Sequence, residues 1–320
     1  SKFDTDGNYL LRWGSSGTGN GQFSDGGREC VVDADGNVWV GDMPNFRAQK
    51  FAPDGTFLLA IPNPPEPPAA DGFNGPRGVA VDAEGSVWVG DTYNWRFSKF
   101  ADDGSVLFNV GTRGRGDYRF NYTRMTAIDP RNGDFLITDT DNHQIKKYDT
   151  DGIHVWTVGA VGLGPDLFRN PHGIDVDGAG RIVFTDTNND RVVILNPDGS
   201  FLRDFGAAGG GAGQFKFARG VAWAPDGTIW VSDSGRDDIQ QFDENGAFLG
   251  VIGGAQLVNP FDVEVTSEYV IVADTAAHLI RAYRLDGTYL GAYGSKGSGS
   301  GQFRAPQGLD LVGNVVYVSE

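Results

Sequence analysis

The sequence has few of the residues on which several common functions depend. Its 320 residues include one cysteine, Cys30, so an internal disulfide framework and a cysteine-based structural zinc site are excluded. No uninterrupted apolar run approaches the roughly 20 residues of a membrane-spanning helix. Basic residues are also scarce, since 26 lysines and arginines stand against 42 acidic residues and give a net charge of −16. This balance argues against extensive binding to nucleic acid.

Glycine, by contrast, is plentiful. The chain has 48 glycines without the strict period of collagen, and 39% of its residues are hydrophobic, which is enough for a core. This composition is typical of an all-β protein with many turns. Residues 1–20 have no signal-peptide pattern, but scarce cysteine and methionine in an acidic chain favour an extracytoplasmic or secreted location.

A repeat of roughly 47 residues runs through the whole chain. It is marked by dipeptides of an acidic residue or asparagine followed by glycine, which lie between short runs of β-branched and aromatic residues. Such dipeptides favour tight β-hairpins. One series is Asp6-Gly7, Asp54-Gly55, Asp103-Gly104, Asp151-Gly152, Asp198-Gly199, Asn245-Gly246 and Asp286-Gly287, and a second series lies between its members. Each unit therefore predicts two hairpins, or four strands.

Four-stranded sheets of this size bury both faces only when they pack radially, which predicts an all-β, seven-bladed β-propeller of four-stranded antiparallel blades. Six blades are the alternative. The chain opens with an outer hairpin at 2–13 and closes with an inner one at 309–319, so the N- and C-terminal hairpins should together close the last blade. We expect residues 1–320 to form a single domain. About six repeat positions have no counterpart between Glu320 and Ser1, so the domain could be a fragment of a longer chain.

The repeat resembles the NHL repeat. The resemblance is carried by P-R-G-V-A-V-D at 76–82, V-W-V-G-D at 87–91, N-W-R at 94–96 and K-F-A-D-D-G at 99–104. It implies a propeller, although most NHL domains have six blades. The family includes protein-binding, RNA-binding and extracellular sensor domains and a zinc-dependent amidating lyase, so membership predicts the fold better than the function.

The Asp-Gly turns should all lie on one face of the propeller. The connections between hairpins and blades, at 62–71, 112–119, 207–213 and 295–301, vary greatly and should lie on the opposite face, where recognition usually resides. Seven residues that begin the innermost strands should surround the channel mouth on that face. This mouth ring consists of Arg28, Arg77, Arg124, His172, Arg219, Phe261 and Gln307.

The four arginines of the mouth ring suit carboxylate or phosphate, because a guanidinium donates two parallel hydrogen bonds. All seven residues of the mouth ring are therefore predicted to bind the ligand. The alternative is a structural role, in which the arginines pair with carboxylates inside the blades. Those carboxylates are Asp42, Asp91, Asp139, Asp186, Asp233 and Asp274.

A metal-dependent lyase or hydrolase at the channel mouth is the enzymatic alternative. A zinc site needs several imidazoles near the axis, and of the four histidines only His172 lies in the mouth ring. The sequence therefore predicts no catalytic residues, no metal site and no cofactor. Calcium is the one alternative, because Asp4-Thr5-Asp6-Gly7 and two similar segments resemble parts of a calcium loop, although each coincides with a repeat turn.

Basic and aromatic residues alternate at 112–124, so Arg113, Arg115 and Arg119 are predicted as further binding residues on the loop face. We expect a non-catalytic binding or scaffold propeller that recognises a protein, peptide or glycan, and we expect this partner to be acidic. The propeller enzyme and an RNA-binding NHL domain are the alternatives, and the net charge of −16 disfavours nucleic acid.

Overall fold

The computed structural model describes residues 1–24, 27–62 and 72–320, and these form seven four-stranded antiparallel blades in a propeller ring. The predicted count of seven is confirmed. The predicted loop at 62–71 lies, apart from its first residue, outside the described residues. In the described part of the chain, no helix is long and apolar enough to cross a membrane.

The strands of each blade follow one another from the axis outward. Blade 1 contains Cys30–Val32, Val38–Asp42, Arg47–Phe51 and Phe57–Ile61; blade 2, Pro76–Val81, Val87–Asp91, Arg96–Phe100 and Val106–Val110; blade 3, Thr123–Ile128, Phe135–Asp139, Gln144–Tyr148 and His154–Val158; blade 4, Pro171–Val176, Ile182–Asp186, Arg191–Leu195 and Phe201–Phe205. Blade 5 contains Ala218–Trp223, Ile229–Asp233, Asp238–Phe242 and Phe248–Ile252; blade 6, Pro260–Val265, Tyr269–Asp274, Leu279–Arg284 and Tyr289–Tyr293; blade 7, Leu309–Val312, Val315–Val318, Lys2–Asp4 and Tyr9–Leu11.

The remaining regular elements are short. Two parallel pairs of two-residue strands precede blades 1 and 3: Ser15–Ser16 with Gln22–Phe23, and Thr112–Arg113 with Arg119–Phe120. The 3-10 turns are Met43–Asn45, Thr92–Asn94, Thr140–Asn142, Thr187–Asn189 and Gly254–Gln256. Four of them directly follow the second strand of blades 1 to 4.

Blade 7 is closed by both ends of the chain, as the hairpin order predicts. Lys2 lies opposite Tyr317 and Phe3 opposite Val316 in an antiparallel ladder. Phe3 is buried in a cluster with hydrophobic residues of blades 6 and 7. The closure therefore pairs strand edges that would otherwise be exposed.

The Asp-Gly dipeptides form the predicted turns. Gly7 has φ +86°, and its N–H donates to the Asp4 carbonyl at 2.9 Å. A Cβ at Gly7 would lie 1.7 Å from the Tyr293 ring, so only glycine fits. The Asp4 carboxylate accepts the N–H of Asn8 at 2.7 Å, so the first aspartate of this calcium-like segment is used by the turn itself.

Two features of the repeat hold the blades together. The tryptophans of the second strands are buried, and the Trp88 ring stacks on Phe135 of the next blade at 4.7 Å. The conserved spacing of aspartate and lysine within the units builds buried ion pairs, such as Asp82–Lys99 at 3.0 Å. In blades 1 to 3 these charges are thereby neutralised inside the blade, because an unpaired buried charge would be costly.

Candidate functional site

The innermost strands place the mouth ring at equivalent positions of the seven blades. Five of its members are the second residue of the innermost strand in blades 2 to 6, and Arg28 and Gln307 stand two positions before the innermost strands of blades 1 and 7. Arg28 Nη1 donates to Gln307 Oε1 at 2.9 Å, which joins the first and last blades. The side chains are half-buried, and His172 is buried.

Direct contacts connect the mouth ring across blades 3 to 6. Arg124 Nη1 lies 2.8 Å from His172 Nε2, and the imidazole packs edge-on against Phe261 with ring centroids 5.6 Å apart. The guanidinium of Arg219 lies 4.8 Å from the centroid of the Phe261 ring. Residues 42 or more positions apart in the chain thus meet at one point.

Two aromatic residues that do not belong to the predicted mouth ring hold its arginines in place. The Tyr122 ring lies 5.1 Å from the Arg77 guanidinium and 5.0 Å from that of Arg124. Phe217 lies 5.0 Å from Arg219. Each aromatic residue stands two positions before a ring arginine, and this spacing is the sequence signal that could have identified them. Cation–π contacts orient guanidiniums without using their N–H groups.

The ring arginines do not pair with the carboxylates inside the blades. Those carboxylates have other partners: Asp42 pairs with Arg47, Asp91 with Arg96, Asp139 with Lys146, Asp186 with Arg191 and Asp274 with Arg281, and Asp233 accepts backbone N–H groups of Lys216 and Phe217. In the described part of the chain, no carboxylate lies within 4.0 Å of a ring arginine's guanidinium. The predicted pairing of these arginines with the carboxylates inside the blades is therefore wrong.

The mouth ring contains buried donors that lack acceptors. Among the described residues, the Nε atoms of all four ring arginines and Nδ1 of His172 are buried without a hydrogen-bond partner. Because a guanidinium can only donate, His172 Nε2 must accept from Arg124, which places the imidazole proton on Nδ1. All five unsatisfied groups are therefore N–H donors, and a buried donor without an acceptor is costly.

Electrostatics keep the imidazole of the ring neutral. Burial, and then the charges of Arg124, Arg219 and Arg77, hold the pKa of His172 well below its usual value. Burial and the neighbouring Arg77 also lower the pKa of Arg124. The positive charges of the ring repel one another, and an anion bound among them would relieve that repulsion.

Along the axis, a cavity of about 250 Å³ is lined by the innermost strands of all seven blades. It contains five carboxyl groups that the sequence reasoning missed: Glu29, Asp175, Asp262, Glu264 and Asp310. Each stands one or three positions after a ring residue, and this spacing is the signal that could have found them. The channel is thus basic at its mouth and carboxyl-lined inside.

Most of these carboxyl groups join neighbouring blades. Asp175 accepts the N–H of Trp223 at 2.8 Å, and Asp310 accepts that of Val32 at 2.6 Å. Glu264 makes no such bond among the described residues. Burial, followed by the charges of Asp262 and the other channel carboxylates, raises the pKa of Glu264 well above its usual value.

Stability should fall as these carboxyl groups ionise. Burial raises the pKa of Asp175 and Asp310 to about 6 and that of Asp262 to about 7, against about 3.9 in an unfolded chain. At a pH between the pKa of the unfolded chain and that of the folded protein, the folded state keeps protons that the unfolded state releases. The resulting contribution to stability is complete below about pH 4 and is lost as the pH rises to about 7.

Replacing Glu264 with glutamine should therefore stabilise the protein at high pH only. We expect Glu264→Gln to raise the melting temperature at pH 8 by on the order of 2–4 °C, because no charge then has to form in the cavity. At pH 4 the two proteins should melt alike. Melting curves from pH 4 to 8 test this, with exposed Glu268→Gln in the same blade as the control. Parallel pH profiles for both variants would contradict the prediction.

The loop arginines lie apart from this arrangement. Arg113, Arg115 and Arg119 are exposed in the connection between blades 2 and 3. The guanidinium of Arg113 lies 5.1 Å from the centroid of the Trp95 ring. The structure therefore places them on an exposed loop, whereas the mouth ring is half-buried.

The other histidines support the backbone or a neighbouring strand. His143 Nδ1 accepts the N–H of Asn170, His278 Nδ1 accepts that of Ala305, and His154 Nε2 lies 2.8 Å from the Thr157 hydroxyl. Across the described ranges, no group of three His, Cys, Asp or Glu side chains is arranged to hold a metal ion.

The seven blades define the fold as a β-propeller. Residues 73–100, most of blade 2, match the family model of the NHL repeat, which confirms the resemblance. A comparison with curated proteins found no match.

Several solved structures share this fold. Selenomethionine-substituted virginiamycin B lyase from Staphylococcus aureus superimposes with a TM-score of 0.72 at 15% identity, over 92% of this chain and 94% of that chain. A streptogramin B lyase structure gives 0.70 at 14% identity, over 92% and 93%. A catalytically inactive variant of the Staphylococcus aureus lyase with quinupristin gives 0.62 at 14%, over 81% and 79%. At these identities the likeness shows the fold alone.

Proposed function

We propose that this propeller is a non-catalytic binding protein whose mouth ring holds a carboxylate of an acidic protein, peptide or glycan. The observation that carries the proposal is that none of the four ring arginines has a carboxylate partner within 4.0 Å in the described part of the chain. A ligand that pairs with these guanidiniums must bring acceptor atoms and negative charge. We propose an extracytoplasmic location for the same protein on the ground of its composition.

The surroundings of the arginines suit such a ligand. Arg77 and Arg124 both contact the Tyr122 ring, and Arg219 contacts both Phe217 and Phe261. Aromatic contacts restrict the side chains before binding, so less conformational entropy is lost when a ligand arrives. The neutral His172 adds a donor without adding to the repulsion.

The test combines binding and stability in one double variant. We expect Arg77→Gln with Arg219→Gln to weaken binding of a fluorescein-labelled hexaglutamate peptide at least tenfold, because two of the four guanidiniums are removed. The melting temperature should stay unchanged, because neither guanidinium pairs with a carboxylate of the residues that the structure describes. Fluorescence anisotropy and calorimetry measure the two quantities.

The control replaces two exposed loop arginines, Arg115→Gln with Arg119→Gln, which changes the net charge equally. An equal loss of affinity in the control would mean that binding depends only on the overall charge of the protein. A large fall in the melting temperature of the ring variant would show that the arginines stabilise the blades. An oligogalacturonide and a single-stranded RNA as competitors identify the class of ligand. Stronger competition by RNA than by hexaglutamate would favour the RNA-binding alternative.

A second candidate is a lyase acting at the same mouth. It is favoured by the fold shared with streptogramin B lyases and by a neutral imidazole in the mouth ring, which is the form that accepts a proton. Chromatography of quinupristin incubated with the protein, with and without divalent cations, tests it. Turnover that disappears in His172→Ala would support the lyase, and unchanged quinupristin would exclude this substrate.

A further inference from the structure

One exposed aromatic residue near the mouth ring is not required by the repeat. Tyr93 lies in the 3-10 turn after the second strand of blade 2, at the end of the blade where the innermost strand begins, and it is 38% exposed. The equivalent residues of blades 1 and 3 to 6 are smaller or polar: Pro44, Asp141, Asn188, Gly235 and Ala276. The turn therefore forms without an aromatic side chain, and the structure of the blade does not explain Tyr93.

The chain also makes room for this ring. A Cβ at Gly75 would lie 2.5 Å from the Tyr93 ring, so a side chain at this position would displace it. The equivalent positions of blades 3 to 7 all carry a side chain: Tyr122, Asn170, Phe217, Asn259 and Ala305. Gly75 and Tyr93 thus depart from the repeat together.

Tyr93 is joined to the mouth ring through Tyr122. The two rings pack edge to face with their centroids 5.8 Å apart, and Tyr122 contacts both Arg77 and Arg124. Burial lowers the pKa of Arg124, while Tyr122 and Tyr93 raise it, so both rings lie near its guanidinium. An exposed aromatic surface is thereby placed beside two arginines that have no carboxylate partner in the described part of the chain.

The backbone conformation of Tyr122 is unusual for a bulky residue. Its φ of +60° is in the left-handed region, where a large side chain is disfavoured. Asn170 and Asn259 hold the same position in blades 4 and 6 with φ of +52° and +56°, and asparagine adopts this conformation readily. Such strain is concentrated at ligand-binding sites, and here it holds an aromatic ring against two guanidiniums.

Polar groups continue the surface beside the aromatic pair. Asn170 Nδ2 donates to Asp141 Oδ1 at 3.1 Å, and Asn188 Nδ2 donates to Asn170 Oδ1 at 2.9 Å, in an exposed chain of hydrogen bonds. Burial lowers the pKa of Arg124 and the charge of Asp141 raises it, so this chain adjoins the same guanidinium. The neighbourhood of Arg124 therefore combines an apolar ring with hydrogen-bonding amides.

One class of acidic ligand matches all of these groups. The ring of a uronic acid has a face of C–H groups, which packs on an aromatic side chain, and hydroxyl groups, which bond to amides. Its carboxylate is attached directly to the sugar ring, so the charge and the apolar face are held at a fixed spacing. In an acidic peptide, by contrast, each carboxylate is carried by a flexible side chain that must lose conformational entropy on binding.

We propose that the mouth ring and Tyr93 together recognise a glycan that contains uronic acid. The proposal rests on the function proposed above, since Arg77 and Arg124 hold the carboxylate. The sugar ring packs on Tyr93, and its hydroxyl groups bond to Asn170 and Asn188. The arginines thus select an acidic ligand, and Tyr93 selects a sugar among the acidic ligands.

The test compares hexagalacturonate with hexaglutamate by titration calorimetry, because the two chains carry the same number of side carboxylates. We expect hexagalacturonate to bind the unchanged protein at least tenfold more tightly. Tyr93→Ala should weaken the binding of hexagalacturonate at least tenfold and that of hexaglutamate less than twofold, because only the sugar uses the aromatic ring. Tyr93→Phe should keep both affinities within twofold, since it retains that ring.

The matched control is Tyr9→Ala. Tyr9 lies in the outermost strand of blade 7, is 40% exposed, and packs edge-on against Phe3 with centroids 5.7 Å apart, so its exposure and its ring contact resemble those of Tyr93. We expect Tyr9→Ala to change neither affinity, because an outermost strand is remote from the channel mouth. The melting temperature of Tyr93→Ala should stay within about 2 °C of that of the unchanged protein.

The outcomes separate this proposal from the one on which it rests. If hexaglutamate binds and hexagalacturonate binds no more tightly, the uronic acid proposal is overturned and the function proposed above stands. The same holds if Tyr93→Ala weakens both ligands equally. If neither ligand binds, both proposals fall.

Two further ligands test the chemistry of recognition. Methyl-esterified hexagalacturonate keeps the sugar rings without their charge and should bind at least tenfold more weakly, and equal binding would overturn the role of the carboxylate. Single-stranded RNA can also stack its bases on tyrosine. RNA that binds more tightly than hexagalacturonate, and loses this affinity in Tyr93→Ala, would overturn the glycan in favour of nucleic acid.

Discussion

Removal of residues 1–13 should leave a protein that melts more than about 10 °C lower or aggregates. The deletion takes two strands from blade 7 and exposes the edge of Val315–Val318, which Lys2–Asp4 pairs with in the intact protein. An unpaired strand edge is a template for association with other chains. Calorimetry and light scattering of the truncated protein measure both outcomes.

A single substitution in the same N-terminal hairpin tests the closure of blade 7 with a smaller perturbation. Phe3 is 2% exposed and packs against the rings of Tyr293 and Phe303, so Phe3→Ala should cost about 3–5 kcal/mol of unfolding free energy. Leu10 in the same hairpin is 46% exposed, and Leu10→Ala should cost less than about 0.5 kcal/mol. Equal, small effects would mean that the hairpin contributes no core to blade 7.

The second large effect concerns a buried ion pair in blade 3. Lys146 and Asp139 are fully buried, with Nζ and Oδ2 2.8 Å apart. Lys146→Met would leave Asp139 with only the N–H of Asn121 and the amide of Asn142 as donors. Since an unpaired carboxylate in the interior is poorly solvated, we expect a loss of about 3–5 kcal/mol in denaturant unfolding.

The control for this variant is an ion pair at the surface. Glu244 is 54% exposed and lies 2.9 Å from Arg181. Glu244→Gln should change the unfolding free energy by less than about 1 kcal/mol, because water screens the pair. If the two variants were equally mild, the Lys146–Asp139 pair would contribute nothing to holding blade 3 in place.

Much of the fold could be read from local spacing. Asp6-Gly7 and its equivalents predict hairpins because a turn depends on residues adjacent in the chain, and counting hairpins gives seven blades and the closure of blade 7. The position of the mouth ring follows from the same count. The channel carboxyl groups of Asp175 and Glu264 each stand three positions after a ring residue, but they were missed because only the ring of blades brings them together.

The sequence by itself determined the hairpins, the number of blades and the strand on which each ring residue lies, since these depend on neighbours in the chain. Only the tertiary structure decided which charges are paired. Asp186 forms an ion pair with Arg191 of its own blade, while Arg124 donates a hydrogen bond to His172 of the next blade. Arg12 reaches Glu320 because the ends of the chain meet in blade 7. Such pairings depend on the closed ring, which brings residues from distant repeats within a few ångströms.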